Sequence, residues 1–372
     1  MFLTRHRQFP ILLAVFVCVL KPVSLAQSKF APEKQAQVEY AVTKFMAANS
    51  VPGISVAVVE NGEYEWAGGF GMADLENFVP ATSHTLYRLA SISKPITATA
   101  ALQLWQRGKL DIEAPVQKYC PAFPQKGAPI STRQALSHLA GIRHYKSDSQ
   151  DDPEIGNTRH FDDPIEAGLN FFKNDALVAK PGTAFHYSTQ GFTLAGCAIE
   201  GASGQKYVDF VRENVFLPAA MVRTRVDDRF AVIPHRTRFY SKQKSGAVVN
   251  ADFLDASYKV PGGGWLSSAE DMANFVVALL NDRLMTRATR DVMWTTQKTS
   301  QGKETGYALG WGTGKDLGVP DVGHGGGQQG TSTFILMIPE RRAGVVVLMN
   351  LDGSDSSALA TQLIKILIGA GK

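Results

Sequence analysis

Strand-forming sequence lies at the two ends of this chain and helix-forming sequence between them, so a sheet here must be assembled from both termini. Residues 53–59 (GISVAVV) and 63–71 (EYEWAGGFG) are strand-like, and Asn61-Gly62 between them is a strong hairpin turn. Strand character returns at 307–311, 331–338 and 344–349. The middle reads as helix and loop, with helices expected at 89–105, 132–138, 163–178, 190–202, 205–215 and 268–280. Ser267-Ser268-Ala269-Glu270 reads as a capping box for the last of these. Pro181-Gly182, Pro218 and Pro261-Gly262-Gly263-Gly264 punctuate the region, and an apolar helix at 356–368 closes the chain. The pattern predicts an α/β fold: one antiparallel sheet from both termini, flanked by helices, with an inserted, mostly helical lobe. The α/β lobe would take 27–115 and 285–372, the helical lobe 116–284. A crevice between lobes is the expected site.

At 372 residues and 44% apolar, the chain has enough material for a large core and too little polarity for disorder. Residues 1–26 stand apart. They begin with Arg5 and Arg7, continue through an apolar run from Phe9 to Leu20, and end on the small-residue pattern Ser24-Leu25-Ala26. This is the layout of a secretory signal peptide cut after Ala26. The run is too short to span about 30 Å of hydrocarbon. A periplasmic or secreted protein without a stable membrane span is therefore expected. The segment holds three basic residues and no acid. Without it the charge falls from +4 to +1, and nucleic acid is not an expected partner. Cys120 and Cys197 remain; an oxidising compartment permits their pairing. Cys197 lies in an apolar helical stretch, which favours a buried free thiol.

No G-x-S-x-G elbow, H-E-x-x-H pair or Walker A loop is present. S-x-x-K occurs four times, at Ser91/Lys94, Ser203/Lys206, Ser241/Lys244 and Ser300/Lys303. Spacing alone cannot choose among them; context can. Ser241 and Ser300 lie in polar, loop-like segments, and Lys206 sits among Asp209, Arg212 and Glu213 on an amphipathic helix. Lys94 is the only charged residue from Ile92 to Gln106. A helix apolar on most sides is buried, and burial lowers a lysine's pKa. The i, i+3 spacing puts Ser91 and Lys94 on one face. Two readings stay open on this segment alone. Ser91 is a nucleophile activated by a desolvated amine, or it is a helix cap beside a snorkelling lysine.

Three motifs fall in order: Ser91-Ile92-Ser93-Lys94, Tyr187-Ser188-Thr189 and His324-Gly325-Gly326. With the segments 130–145, 181–204 and 262–275, they resemble the serine β-lactamase and penicillin-binding protein superfamily. The likeness is to its class C branch, and there to the mitochondrial β-lactamase-like members and their bacterial homologues. It covers about residues 53–351. It implies the β-lactamase/transpeptidase fold and a serine hydrolase acting through an acyl-enzyme on peptide, D-amino acid peptide or ester substrates. By the resemblance Ser91 is the nucleophile, Lys94 helps remove its proton, and Tyr187 is the general base. That role requires a cation, with Lys94 the candidate, to stabilise the phenolate. Thr189, His324, Gly325 and Gly326 would contact substrate. The backbones of Ser91 and Gly327 would form the oxyanion hole. No cofactor and no metal are implied; the other histidines show no ligand spacing, and His138 and His144 read as structural. Two departures stand out. His324 replaces the lysine of true lactamases. Thr189 replaces an asparagine and cannot offer both an NH₂ and a carbonyl. A true β-lactamase and a filament-forming scaffold with little turnover are the alternatives that the resemblance leaves open.

Overall fold

The computed structural model describes residues 30–147, 152–315 and 317–369. The expected export segment, 1–26, lies outside these residues. The N-terminal end supplies β1 (Gly53–Glu60), β2 (Glu63–Asp74) and β3 (Val79–Pro80). The middle of the chain contributes β4 (Tyr87–Arg88), β5 (Arg225–Val226), the hairpin β6 (Tyr240–Lys242) and β7 (Val248–Asn250), and β8 (Trp265–Ser267). The C-terminal end adds β9 (Gly312–Gly314), β10 (Asp321–Gln328), β11 (Thr331–Ile338) and β12 (Ala343–Met349). The main sheet has seven strands in the order β3-β2-β1-β12-β11-β10-β9, antiparallel throughout. The two ends of the chain meet at β1 and β12, where Val56 faces Val347 and Val58 faces Val345.

Both faces of this sheet are covered, which is why its central strands read as unbroken apolar runs. Ile54, Val56, Val58, Val345 and Val347 pack against the helices Pro32–Asn49 and Ser356–Ile368. Ala57, Val59, Val346 and Leu348 face the other way, toward Phe275 and Val276 of the helix Ala269–Leu280. Burying each such valine stabilises the fold by on the order of 2 kcal/mol. The helix Ser93–Gln106 runs through the larger of the two cores, buried along nearly its whole length. Among the described residues no helix is long and apolar enough to cross a membrane.

The sheet built from both termini is as expected, and several local readings are corrected. The helix Pro32–Asn49 went unread because only Val38, Ala41 and Val42 are buried on it. The glycine-rich stretch 321–328, where no strand was read, is the strand β10. Glycines give no side-chain signal, and here pairing to β11 supplies the order. The expected strand at 307–311 forms one bridge, Tyr307 to Gly312; the strand proper is β9. The helix expected at 163–178 is Pro164–Phe172, and that at 205–215 is Tyr207–Val211 followed by a π-turn. The cap of the helix Ala269–Leu280 is Ser268, whose hydroxyl accepts from Asp271 N–H. Glu270 instead bonds Ser83 and pairs with His84.

Cys120 and Cys197 form a disulfide, correcting the free-thiol reading. Burial was read correctly, but the chain before the helix Thr132–Leu136 packs on the helix Thr189–Ser203 and brings the two Cα atoms to 5.4 Å. The bridge ties positions 77 residues apart. Denaturation with and without a reductant tests its contribution: reduction is expected to remove about 2–4 kcal/mol of stability. Superimposable curves, with thiols free before reduction, would contradict this.

Candidate active site

Ser91 lies in the 3-10 turn Ala90–Ile92, directly before the helix Ser93–Gln106. The turn is fixed from the sheet. Thr331 and Thr333 of β11 donate to the carbonyls of Arg88 and Leu89 at 3.1 and 3.0 Å. Arg88 is itself buried and pairs with Asp227 at 2.7 Å. Ala90 takes φ +47°, a left-handed conformation that costs an L-residue about 1–2 kcal/mol. The neighbouring strand comes very close. A Cβ on Gly326 would stand 2.3 Å from the Leu89 carbonyl oxygen, so only glycine lets β10 pass against the turn. Beyond Gly323, β10 has no partner strand on its outer edge among the described residues. Gly325 and Gly326 line this open stretch half-buried, and Gly327 is exposed there.

Lys94 is fully buried. Its Nζ contacts Ser91 Oγ at 2.9 Å, Thr189 Oγ1 at 3.2 Å and the Gly262 carbonyl at 2.9 Å. No carboxylate pairs with it among the described residues. Burial, assisted by the nearby charge of Lys259, holds its pKa well below the usual lysine range. The other three S-x-x-K lysines, Lys206, Lys244 and Lys303, are exposed, and Lys206 pairs with Asp163.

Tyr187 is half-buried, with the Lys94 Nζ 4.9 Å from its ring centroid and the Ser91 hydroxyl bonded to its phenol. Burial pushes this phenol above its ordinary pKa, and the Ser91 hydrogen bond opposes the rise without cancelling it. The protonated phenol is therefore the resting form. The amine stands over the ring face, and it is the amine whose ionisation burial moves toward neutral pH. Thr189, expected among the substrate contacts, is buried, and its hydroxyl faces Lys94.

His324 is also buried. Its Nδ1 lies 2.7 Å from the Gly325 carbonyl, and its Nε2 lies 2.8 Å from the Tyr307 hydroxyl. A carbonyl only accepts, so Nδ1 carries the proton and Nε2 accepts from Tyr307. Burial, then repulsion from Lys94, lowers its pKa to about 3. It is a neutral brace between β10 and Tyr307. His138 and His144, read as structural, both pack against Tyr187. His138 accepts the Ser188 N–H at 3.0 Å and stacks on Tyr187 at 4.2 Å, and His144 packs edge-on to the same ring.

Sequence reasoning missed Tyr307, Tyr145 and Lys259. Lys259 is buried in the turn Ser257–Lys259 and donates to the Tyr145 hydroxyl at 3.3 Å. Its signal was there: one cation in an otherwise uncharged stretch, 256–269, leading into Gly262-Gly263-Gly264. Among the described residues no three His, Cys, Asp or Glu side chains are grouped to hold a metal.

Fold and site together are those of a serine hydrolase of the β-lactamase/transpeptidase type. The comparisons agree. The model of the Beta-lactamase family matches residues 38–367, and the chain belongs to that family. The human "Serine beta-lactamase-like protein LACTB, mitochondrial" is 32% identical, over 78% of this chain and 69% of that protein. Among solved structures, the octameric penicillin-binding protein homologue from Pyrococcus abyssi superposes with TM-score 0.78. It is 26% identical and covers 90% of this chain and 77% of its own. A D-stereospecific amidohydrolase from Streptomyces superposes with TM-score 0.74 at 26% identity, covering 91% and 99%.

The state of His324 gives a pH prediction. The unfolded ring takes a proton near pH 6.5, whereas the folded ring resists it until about 3. Below 6.5 the unfolded state binds more protons, so stability falls as pH drops through that window. His324→Gln, which keeps a donor and an acceptor, is expected to flatten part of the slope in denaturation curves from pH 7 to 4. An unchanged slope would show that the ring is charged in the fold.

Proposed function

We propose that this protein is a serine hydrolase that forms an acyl-enzyme on peptide, D-amino acid peptide or ester substrates. The observation that carries the reading is the buried Lys94 amine in contact with the Ser91 hydroxyl at 2.9 Å. A neutral amine has two N–H groups and one lone pair. The Gly262 carbonyl takes one N–H and the Thr189 oxygen the other, which leaves the lone pair for Ser91. Lys94 then accepts the Ser91 proton as Oγ attacks the substrate carbonyl. The oxyanion that forms is received by the N–H groups of Ser91 and Gly327. As the bond to the leaving group breaks, Tyr187 passes it a proton, and the Lys94 ammonium formed in the first step returns one to the phenolate. Water attacks the resulting ester, its proton goes to the amine, and Ser91 is regenerated.

The open edge of β10 supports an extended substrate, since a peptide can pair with free backbone groups as an added strand. The burial of Thr189 favours peptide and ester substrates over β-lactams, because no side-chain amide is presented at that position. Export belongs to the proposal. Residues 1–26 read as a signal peptide, and a disulfide between Cys120 and Cys197 suits an oxidising compartment.

A fluorophosphonate probe is expected to label Ser91, and Ser91→Ala to lose labelling and about a thousand-fold or more of ester turnover. Labelling of Ser91→Ala equal to wild type would overturn the assignment. The pH profile of kcat/KM is a second check. An amine with a lowered pKa is a free base above that pKa, so activity should rise with pH and level off well below 10. A rate still climbing tenfold per unit at pH 10 would mean an ordinary lysine.

A further inference from the structure

Near Lys94 lies a second buried lysine, which the acylation chemistry does not use. Lys259 is 4% exposed, and its Nζ has one hydrogen-bond partner among the described residues, the Tyr145 hydroxyl at 3.3 Å. The Tyr145 and Tyr258 ring centroids are each 5.4 Å away. No described carboxylate forms an ion pair with it, and the described acids nearby, Asp152, Glu154 and Asp255, are engaged elsewhere. Glu154 pairs with Arg143 and bonds Gln190, Asp152 accepts the N–H groups of Ser147 and Glu154, and Asp255 holds His160 and the Ser257 N–H. A buried lysine without a counter-charge is costly unless something supplies the anion.

Its position indicates what does. The Lys259 stem and the Gln328 Oε1 flank Gly263 together, at 3.7 and 3.6 Å from where a Cβ would stand. Gly263 follows Gly262, whose carbonyl holds Lys94, and Gln328 follows Gly327 at the open end of β10. The Gln328 Nε2 is buried and has no partner. A lysine without a described carboxylate and an amide whose nitrogen lacks a partner thus flank Gly263 together, next to the Gly262 carbonyl that holds Lys94. The third motif contributes no charge here, because both nitrogens of His324 are engaged and its ring is neutral.

We propose that Lys259, with Gln328, anchors a carboxylate of the substrate beside Ser91. The inference rests on the hydrolase reading and narrows it to anionic substrates. The carboxylate can sit on the acyl side or on the leaving group, and the test separates these. Two matched pairs of phenyl esters serve as probes. In one pair the acyl chain ends in a carboxylate or in the corresponding primary amide. In the other the leaving phenol carries a carboxylate or a carboxamide. The readout is the ratio of kcat/KM, charged over neutral, in wild type, Lys259→Met and Lys259→Arg. A ratio is used because Lys259 also acts on Lys94, and that effect is common to both members of a pair.

Wild type is expected to favour the charged ester about 10–100-fold in one pair, as a charge-assisted hydrogen bond allows. The pair that responds identifies the side. Lys259→Met should bring that ratio to about 1, and Lys259→Arg should keep part of it. No charged-ester preference in wild type for either pair, or a preference that survives Lys259→Met, would overturn the anchor while leaving the hydrolase reading intact. No ester turnover with Ser91 unlabelled by the fluorophosphonate would overturn both.

Discussion

One amine removed from water governs the site. An ordinary surface lysine is protonated at neutral pH and cannot take a proton from serine. Lys94 is buried, has no carboxylate partner among the described residues, and lies near the charge of Lys259. Each of these favours the free base, and all follow from where the helix Ser93–Gln106 sits. Because that helix crosses the larger core with its apolar sides buried, its one cation has no route to solvent. The features that make the helix a structural element also make its lysine reactive.

The sheet brings the remaining parts to that amine. β11 fixes the nucleophile turn through Thr331 and Thr333, and β10 passes over it by means of Gly326. The loss of a partner strand beyond Gly323, among the described residues, leaves an open edge beside the nucleophile turn. His324 braces this strand against Tyr307 as a neutral ring rather than a charged contact. The positive charge that the third motif lacks is instead found on Lys259, which flanks Gly263 together with Gln328 at the end of β10.

Much of this was legible in the sequence, for physical reasons that differ from element to element. A single charge in fifteen otherwise uncharged residues, 92–106, can be read directly as a buried lysine, and Ser91 follows from spacing. β1 and β12 announce themselves because strands buried on both faces are continuously apolar. β10 was illegible as a strand, because a run of glycines has no pattern of sides. The roles of Thr189 and His324 depend on which way a short side chain turns, and motif position does not encode that. The disulfide and Lys259 depend on which distant segments meet. Cys120 and Cys197 each look like buried apolar residues until the packing of the helix Thr189–Ser203 joins them. Tyr187 was found by its motif. The desolvation that lowers an amine's pKa raises its phenol's.

The central claim concerns the charge on one nitrogen, and NMR can measure it directly. In protein labelled with ¹³C at lysine Cε, the Lys94 resonance, assigned by loss in Lys94→Met, can be followed from pH 5 to 11. The account predicts a titration well below the ordinary lysine value of about 10.4, moving upward in Lys259→Met. A Lys94 that titrates at or above 10.4 would contradict it.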